Sequence, residues 1–334
     1  MEEVQNLEHN DLGTNIENNE NDLNDFFERT TVGETIKNIE NLEIQLKSST
    51  SVDESINIRV KQLAYSKILV NIYEKSPVYL IRAHANLGIT YLENDYLEQA
   101  QEHLLNAFKL NENSSDTQGN DLKELQVLIL INLAKCYLAF NKPNPSISIS
   151  EKCLKMNKAL KGEDDISNAD IYYVIAKGNT AIKKFDLAIE YFSKMFTMYE
   201  QIYSFDSEKC ARVCMELGQI YELSNKLNEA LEYFSFSWEI WEKVIIKNEN
   251  DQADNINEDH YLLILEVAIK IAELNEKNDK LDQSYTILKS CETKYLSMIP
   301  KKKQLELKKY LVKYSELCKD LDLSYKELLE YEVS

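Results

Sequence analysis

The stretch KSPVYLIRAHANLGITYLENDYLEQAQEHLLNAFKL (residues 75–110) decides the fold. Leu87-Gly88 and Tyr91 lie on one side of the polar break at Asn94-Asp95, and Ala100, Leu104 and Ala107 on the other. Intervals of three and four residues on both sides of a short polar break describe two amphipathic helices joined by a tight turn. Gly88 and Ala100 are among the smallest residues of this pair. Small residues at a crossing point let two helices approach closely, while larger neighbours fill the groove toward the next pair.

The same spacing returns along the chain. Leu217-Gly218, Tyr221, Ala230 and Phe234 repeat it, and Ile175-Ala176, Ala188 and Phe192 form a third copy. Leu133-Ala134, Tyr137, Ser146 and Cys153 are a degraded fourth, and Ile271-Ala272, Ser284, Leu288 and Cys291 a weaker fifth. The small anchors stand at 88, 134, 176, 218 and 272, so the intervals are 46, 42, 42 and 54 residues. One hairpin cannot bury its apolar face alone, and neighbours must stack. The predicted fold is therefore all-α, a right-handed superhelical solenoid of antiparallel helix pairs. No strand-like alternation competes with it.

Composition agrees. The chain has 334 residues, 38 basic against 57 acidic, giving a formal charge of −19. Seven Gly and four Pro make about 3% of the residues, against roughly 12% in ordinary proteins. Turns needing positive φ are accordingly expected to be few. Nucleic acid is excluded as a partner, because its recognition needs a basic face and this chain has four arginines, Arg29, Arg59, Arg82 and Arg212. No stretch reaches about 18 apolar residues, and the start MEEVQNLEHNDLG lacks a signal-peptide pattern, so neither membrane insertion nor secretion is expected. Six cysteines without a CxxC pair suit a reducing, cytoplasmic setting.

Residues 1–32 are acidic and Asn-rich and are expected to be a flexible tail; 1–28 hold nine acidic residues and no Lys or Arg. Residues 33–80 are read as helices capping the array, with stripes through Ile36, Ile39, Leu42 and Leu46 and through Val60, Leu63, Ile68 and Ile72. Residues 81–299 hold the five repeats. Residues 300–334 are read as a C-terminal helical cap, with a helix opened by Pro300 and a shorter one over Leu323–Val333. Pro145 is expected in the first turn of its helix, with Asn144 as N-cap.

These repeats resemble tetratricopeptide repeats over roughly residues 33–330. Their length, 42 or more where 34 is usual, resembles kinesin light chains, in which a long second helix runs into an acidic loop. MYEQIYSFDSEKCARVCMELGQIYE (198–222) and KMNKALKGEDDISNADIYYVIAKGN (155–179) have that form. Residues 75–110 also resemble the ciliary tetratricopeptide repeat protein twenty-three group. The resemblance implies a scaffold that binds other proteins, with a ciliary, axonemal or cytoskeletal location. The Hsp90-type carboxylate clamp needs Lys and Asn where this chain has Ala85 and Ile89, which disfavours a chaperone role.

Motifs for phosphate cradles, zinc proteases and nucleophile elbows are missing, and no enzyme activity, cofactor or metal is expected. Cys210 and Cys214 lie one turn apart without further ligands at suitable spacing, and the cysteines are read as small packing residues. His84 and His103 are read as structural, and Trp238 and Trp241 as core. If the first helix of each repeat faces inward, as in tetratricopeptide superhelices, the candidate partner-binding residues of the concave groove are Arg82, Lys135, Tyr173, Lys177, Arg212, Met215 and Gln219. Lys135 and Lys177 take equivalent positions in adjacent repeats, and like charges about 10 Å apart repel unless a negative group intervenes. A ligand carboxylate or phosphate would supply that group, and so would Glu or Asp of a neighbouring helix. The fifth repeat presents Glu266, Glu273 and Glu276 on the same face. Two functions follow: a structural component of a large assembly, with the axoneme favoured, or an adaptor holding a short acidic or amphipathic peptide in the groove.

Overall fold

The computed structural model describes residues 32–72, 77–114, 119–250 and 258–318. Among these there are thirteen α-helices, one 3-10 turn (Leu296–Met298) and no strand. Of the expected tail over residues 1–32, only Val32 is described, as the first residue of a helix; the rest of it and the short helix over Leu323–Val333 lie outside the described residues.

The chain divides into two compact units, residues 1–161 and 162–334. The first contains α1 (Val32–Ser48), α2 (Val52–Asn71), α3 (Val78–Glu93), α4 (Leu97–Asn113), α5 (Asn120–Ala139) and α6 (Pro143–Lys161). Each packs on the next, as antiparallel hairpins α1–α2, α3–α4 and α5–α6. Ile81, Ala85, Leu104, Ile129 and Leu133 form its main core, and a second cluster of Leu63, Leu80, Ala83 and Leu87 joins α2 to α3. Ile72, read as part of a buried stripe, is 44% exposed because it falls past the last turn of α2.

The second unit contains α7 (Ser167–Ala181), α8 (Phe185–Tyr203), α9 (Glu208–Leu223), α10 (Leu227–Asn250), α11 (Glu258–Lys277), α12 (Leu281–Tyr295) and α13 (Lys301–Leu317). Three hairpins stack in order, and α13 closes against α11 and α12. Trp241, Phe192, Phe234 and Tyr314 are fully buried here. The other tryptophan, Trp238, is 7% exposed.

The hairpin turns of the five repeats share one backbone solution. Asp95, Asn141, Lys183, Asn225 and Asp279 all have positive φ, between 55° and 63°. Each stands seven residues after its small anchor. The next residue donates its N–H five residues back, as in Lys142 to Tyr137 and Lys226 to Tyr221 at 2.8 Å. The positive-φ residue itself donates three residues back, as Asn225 does to Glu222 at 3.0 Å. This pair of bonds is the Schellman helix ending. Positive-φ turns are few, as expected, but they recur in every repeat without glycine: four of the five positions are Asn or Asp, which tolerate the left-handed region through local hydrogen bonding, and the fifth is Lys183. α6 begins at Pro143, so Asn144 lies inside the helix and is not its N-cap as expected, and both prolines sit in the first turn, where their missing N–H costs nothing.

At the crossings, Gly88 has no room for a side chain: a Cβ there would lie 2.8 Å from Leu104 Cγ and 3.1 Å from the Ala100 carbonyl oxygen. At Gly218 the three nearest atoms to an added Cβ all belong to the Phe234 ring, at 2.9–3.0 Å. In the two degraded repeats, serine replaces the second-helix alanine. Ser146 Oγ donates to the Ala134 carbonyl and Ser284 Oγ to the Ala272 carbonyl, both at 2.8 Å and fully buried. Seven residues further on, Ser237 Oγ donates to the Ala211 carbonyl at 2.9 Å, and Cys153 Sγ to the equivalent Val127 carbonyl at 3.4 Å. Apparent degeneration of the motif is thus a substitution of hydrogen bonding for methyl packing.

Candidate functional site

In the second unit, α9 is the organising helix. Ser207 caps it, its Oγ accepting from the Cys210 N–H at 3.3 Å. That start puts Cys210, Cys214 and Leu217 into the core, while Arg212, Met215, Glu216 and Gln219 emerge on the opposite side at helical spacing. They line a cleft of about 420 Å³ with Tyr173 of α7, Met195 and Tyr199 of α8, and Leu263 and Glu266 of α11. Lys209, one turn ahead of Arg212, also lines it. Its ammonium lies over the rings of Tyr199 and Tyr203, 5.5 and 5.7 Å from their centroids.

Four of the seven predicted residues, Tyr173, Arg212, Met215 and Gln219, therefore line one cleft. Lys177 stands at its edge, bonded to Glu216 at 3.0 Å, and the Tyr173 hydroxyl donates to the same carboxylate at 3.4 Å. Burial, with the Glu216 charge added, pushes the Tyr173 phenol up to about 12. Arg212 is tied to Glu208, 2.7 Å away, and its guanidinium lies over the Trp241 ring. The second Glu208 oxygen faces His260 Nε2 at 3.3 Å. Burial works against the Glu208 carboxylate, but Arg212 and His260 together hold its pKa below the usual range. The negative partner of Lys177 is thus a carboxylate of the neighbouring helix α9, and that of Arg212 a carboxylate one turn back on its own helix, which removes the need for a ligand anion at either.

The acidic face of the fifth repeat is also compensated from within. Glu222 meets Lys277 at 2.7 Å and Lys270 at 3.3 Å, and Lys270 also reaches Glu273 at 3.2 Å. Glu273 accepts from the Tyr310 hydroxyl at 3.0 Å, and Glu276 from Lys313 and the Tyr314 hydroxyl, each at 2.7 Å. The hydrogen bond from Lys313 leads in keeping Glu276 ionised below the usual carboxylate range. A ladder of alternating charge thus connects α9, α11 and α13. The candidate residues taken from the sequence did not include Glu216, which falls one residue after Met215. The signal was available: Glu216 lies 39 residues after Lys177, three short of the 42-residue repeat, which places a residue one turn back on the neighbouring helix.

Arg82 and Lys135 belong to the first unit. Arg82 is exposed and Lys135 half-buried, and neither has an ion-pair partner among the described residues. The same unit holds a histidine pair: His84 Nδ1 and His103 Nδ1 are 3.0 Å apart, with Tyr91 stacked on His103 at 5.6 Å. Burial, followed by the neighbouring His103 and Lys67, depresses the His84 pKa to about 4. All six cysteines are free and buried, and burial pushes Cys153, Cys214 and Cys291 up to about 12. Among the described residues, no group of three or more His, Cys, Asp or Glu side chains could hold a metal ion. No helix among them is long and apolar enough to cross a membrane.

Residues 81–114 and 211–235, the α3–α4 hairpin and most of α9 with the start of α10, match the tetratricopeptide repeat family profile. These hairpins are tetratricopeptide repeats. Comparison with the curated proteins finds no sequence relative. Among solved structures, RapI in its apo form superposes with a TM-score of 0.63 at 13% identity, covering 89% of this chain and 74% of that one. BtubC (BKLC) from P. vanneervenii follows at 0.59 and 15% identity, covering 75% of this chain and 93% of that one. The nearly identical tetratricopeptide-like repeats of a Podosopora anserina protein assigned as a kinesin light chain give 0.52 at 15% identity, covering 66% and 96%. At such identities the likeness is one of fold. The tetratricopeptide repeat fold is consistent with a protein–protein interaction scaffold.

Proposed function

We propose that this protein is a non-catalytic scaffold or adaptor that binds a short segment of a partner protein in the cleft of the second unit. The lining carries this reading. Met195, Met215, Leu263 and Tyr199 offer an adaptable apolar floor, and Gln219, Lys209 and Glu266 place unlike polar groups around it. Because Lys177 and Arg212 already have carboxylate partners, affinity comes from an apolar anchor side chain with polar flanks, and a purely acidic motif is disfavoured. The ciliary location rests on the resemblance of residues 75–110 alone, and the reading proposed here does not use it.

Selection of peptides from a random library against the full chain tests the reading. Isolated peptides should contain one large apolar residue, and Met215→Glu should weaken them at least tenfold, because a buried carboxylate without a partner is costly. Peptides that bind Met215→Glu as tightly as the parent would place the binding surface elsewhere. The second reading, a structural component of an assembly held through its loops, is favoured by Ile202, Tyr203 and Phe205. These follow one another around the end of α8 at 51%, 45% and 38% exposure. In that case, substitution of these three residues, and not of Met215, abolishes assembly.

A further inference from the structure

α13 carries a feature the cleft does not use. Its inward face is Leu307, Leu311 and Tyr314, all buried. Lys301, Lys302, Leu305 and Lys309 recur at intervals of one, three and four residues and so share the opposite face. The three lysines are exposed, and Leu305 is 57% exposed. Among the described residues, no carboxylate pairs with any of the three. The carboxylates that could do so are committed elsewhere: Glu306 to Lys303 and Glu276 to Lys313, each at 2.7 Å, and Glu273 to Lys270 and Tyr310. On this side of α13 the remaining carboxylate is Glu316, about two turns beyond Lys309. Among the described residues, this basic face thus stands without a carboxylate partner, on a chain whose net charge is −19.

We propose that this face of α13 docks an acidic, extended polypeptide segment of a partner protein. From Lys301 to Lys309 the helix advances about 12 Å. That matches about four residues of extended chain, at about 3.3 Å each. Lysines, as mobile point charges, suit flexible carboxylates; α13 has no arginine, whose planar fork would favour phosphate. One exposed leucine is too little apolar surface to hold a helix in a bilayer interface. The overall negative charge repels a bilayer or a nucleic-acid duplex, which present charge over large areas. A short segment responds to the local field within a screening length of about 8 Å.

The test is fluorescence anisotropy of a labelled deca-glutamate peptide titrated with the full-length protein. Binding should weaken steeply with added salt, and the triple reversal Lys301→Glu, Lys302→Glu, Lys309→Glu should reduce affinity at least tenfold without lowering thermal stability. The same three-charge reversal at the exposed Lys37, Lys47 and Lys61 of α1 and α2 should leave affinity within about twofold. Equal losses from both triple variants would mean that deca-glutamate senses only net charge, which overturns the proposal. No measurable binding by the parent also overturns it. So does tighter association with phosphatidylserine vesicles or duplex DNA, lost in the α13 variant, which would assign the face to a lipid or nucleic-acid surface.

Discussion

Replacement of Gly88 by alanine probes the contact on which the repeat depends. In an open helix, Gly→Ala stabilises by up to about 1 kcal/mol through backbone entropy. At Gly88 the added methyl would stand 2.8 Å from Leu104 Cγ and 3.1 Å from both the Ala100 carbonyl oxygen and the Leu104 nitrogen. Two of those three atoms are backbone, so no rotamer change relieves the overlap, and α3 and α4 must move apart. Overpacking of this kind costs about 1–3 kcal/mol. Separation also loosens Ala100 and Leu104, both fully buried. The net expectation is a loss of about 1–2 kcal/mol, read as a lower urea midpoint or as a fall in Tm of about 2–4 °C per kcal/mol. Gly33→Ala in α1 is the control, since nothing lies within 4 Å of the added carbon, and it should be neutral or slightly stabilising. A Gly88→Ala chain as stable as its parent would refute the close-crossing account of the hairpin.

Three further outcomes follow from the turns, the histidine pair and the buried hydroxyls. Lys183 is the hairpin-turn residue with positive φ that is neither Asn nor Asp, so Lys183→Asn should raise stability by about 0.5–1 kcal/mol in thermal denaturation. His84 has its pKa depressed from 6.5 to about 4, so between those values the unfolded chain binds more protons than the folded one. Stability contributed there is present above pH 6.5 and is lost, up to about 3 kcal/mol, as pH falls toward 4. His84→Gln should flatten that slope in Tm measured against pH, and an unchanged slope would assign the titration elsewhere. Ser146→Ala removes the hydroxyl that reaches the Ala134 carbonyl across the crossing, while that carbonyl keeps its place in α5, so urea unfolding should show a loss of only about 0.5–1.5 kcal/mol.

The hairpins and their order were legible in the chain because the forces that make them act over three to seven residues. Leu87-Gly88, Tyr91 and Ala100 carry their helical period openly, and the same intervals at 176 and 218 announce stacking. Less legible were features in which one residue type can satisfy a position by two physical routes. Asn141, Asn225 and Asp279 adopt a left-handed turn in place of the glycine usual there, which a count of glycines does not reveal. Ser146 and Ser284 hold a crossing by hydrogen bonding where packing of a methyl was expected. Ion-pair partners were hidden for a different reason. Lys177 meets Glu216, and Glu222 meets Lys270 and Lys277, across 39 to 55 residues of chain, through long side chains whose reach depends on how far one helix is rotated against the next. A periodic pattern fixes which face of a helix is apolar, but rotation and axial offset between stacked hairpins arise from the whole set of buried side chains fitting together. Those few degrees and ångströms decide whether a lysine of the inner face waits for a partner or already has one.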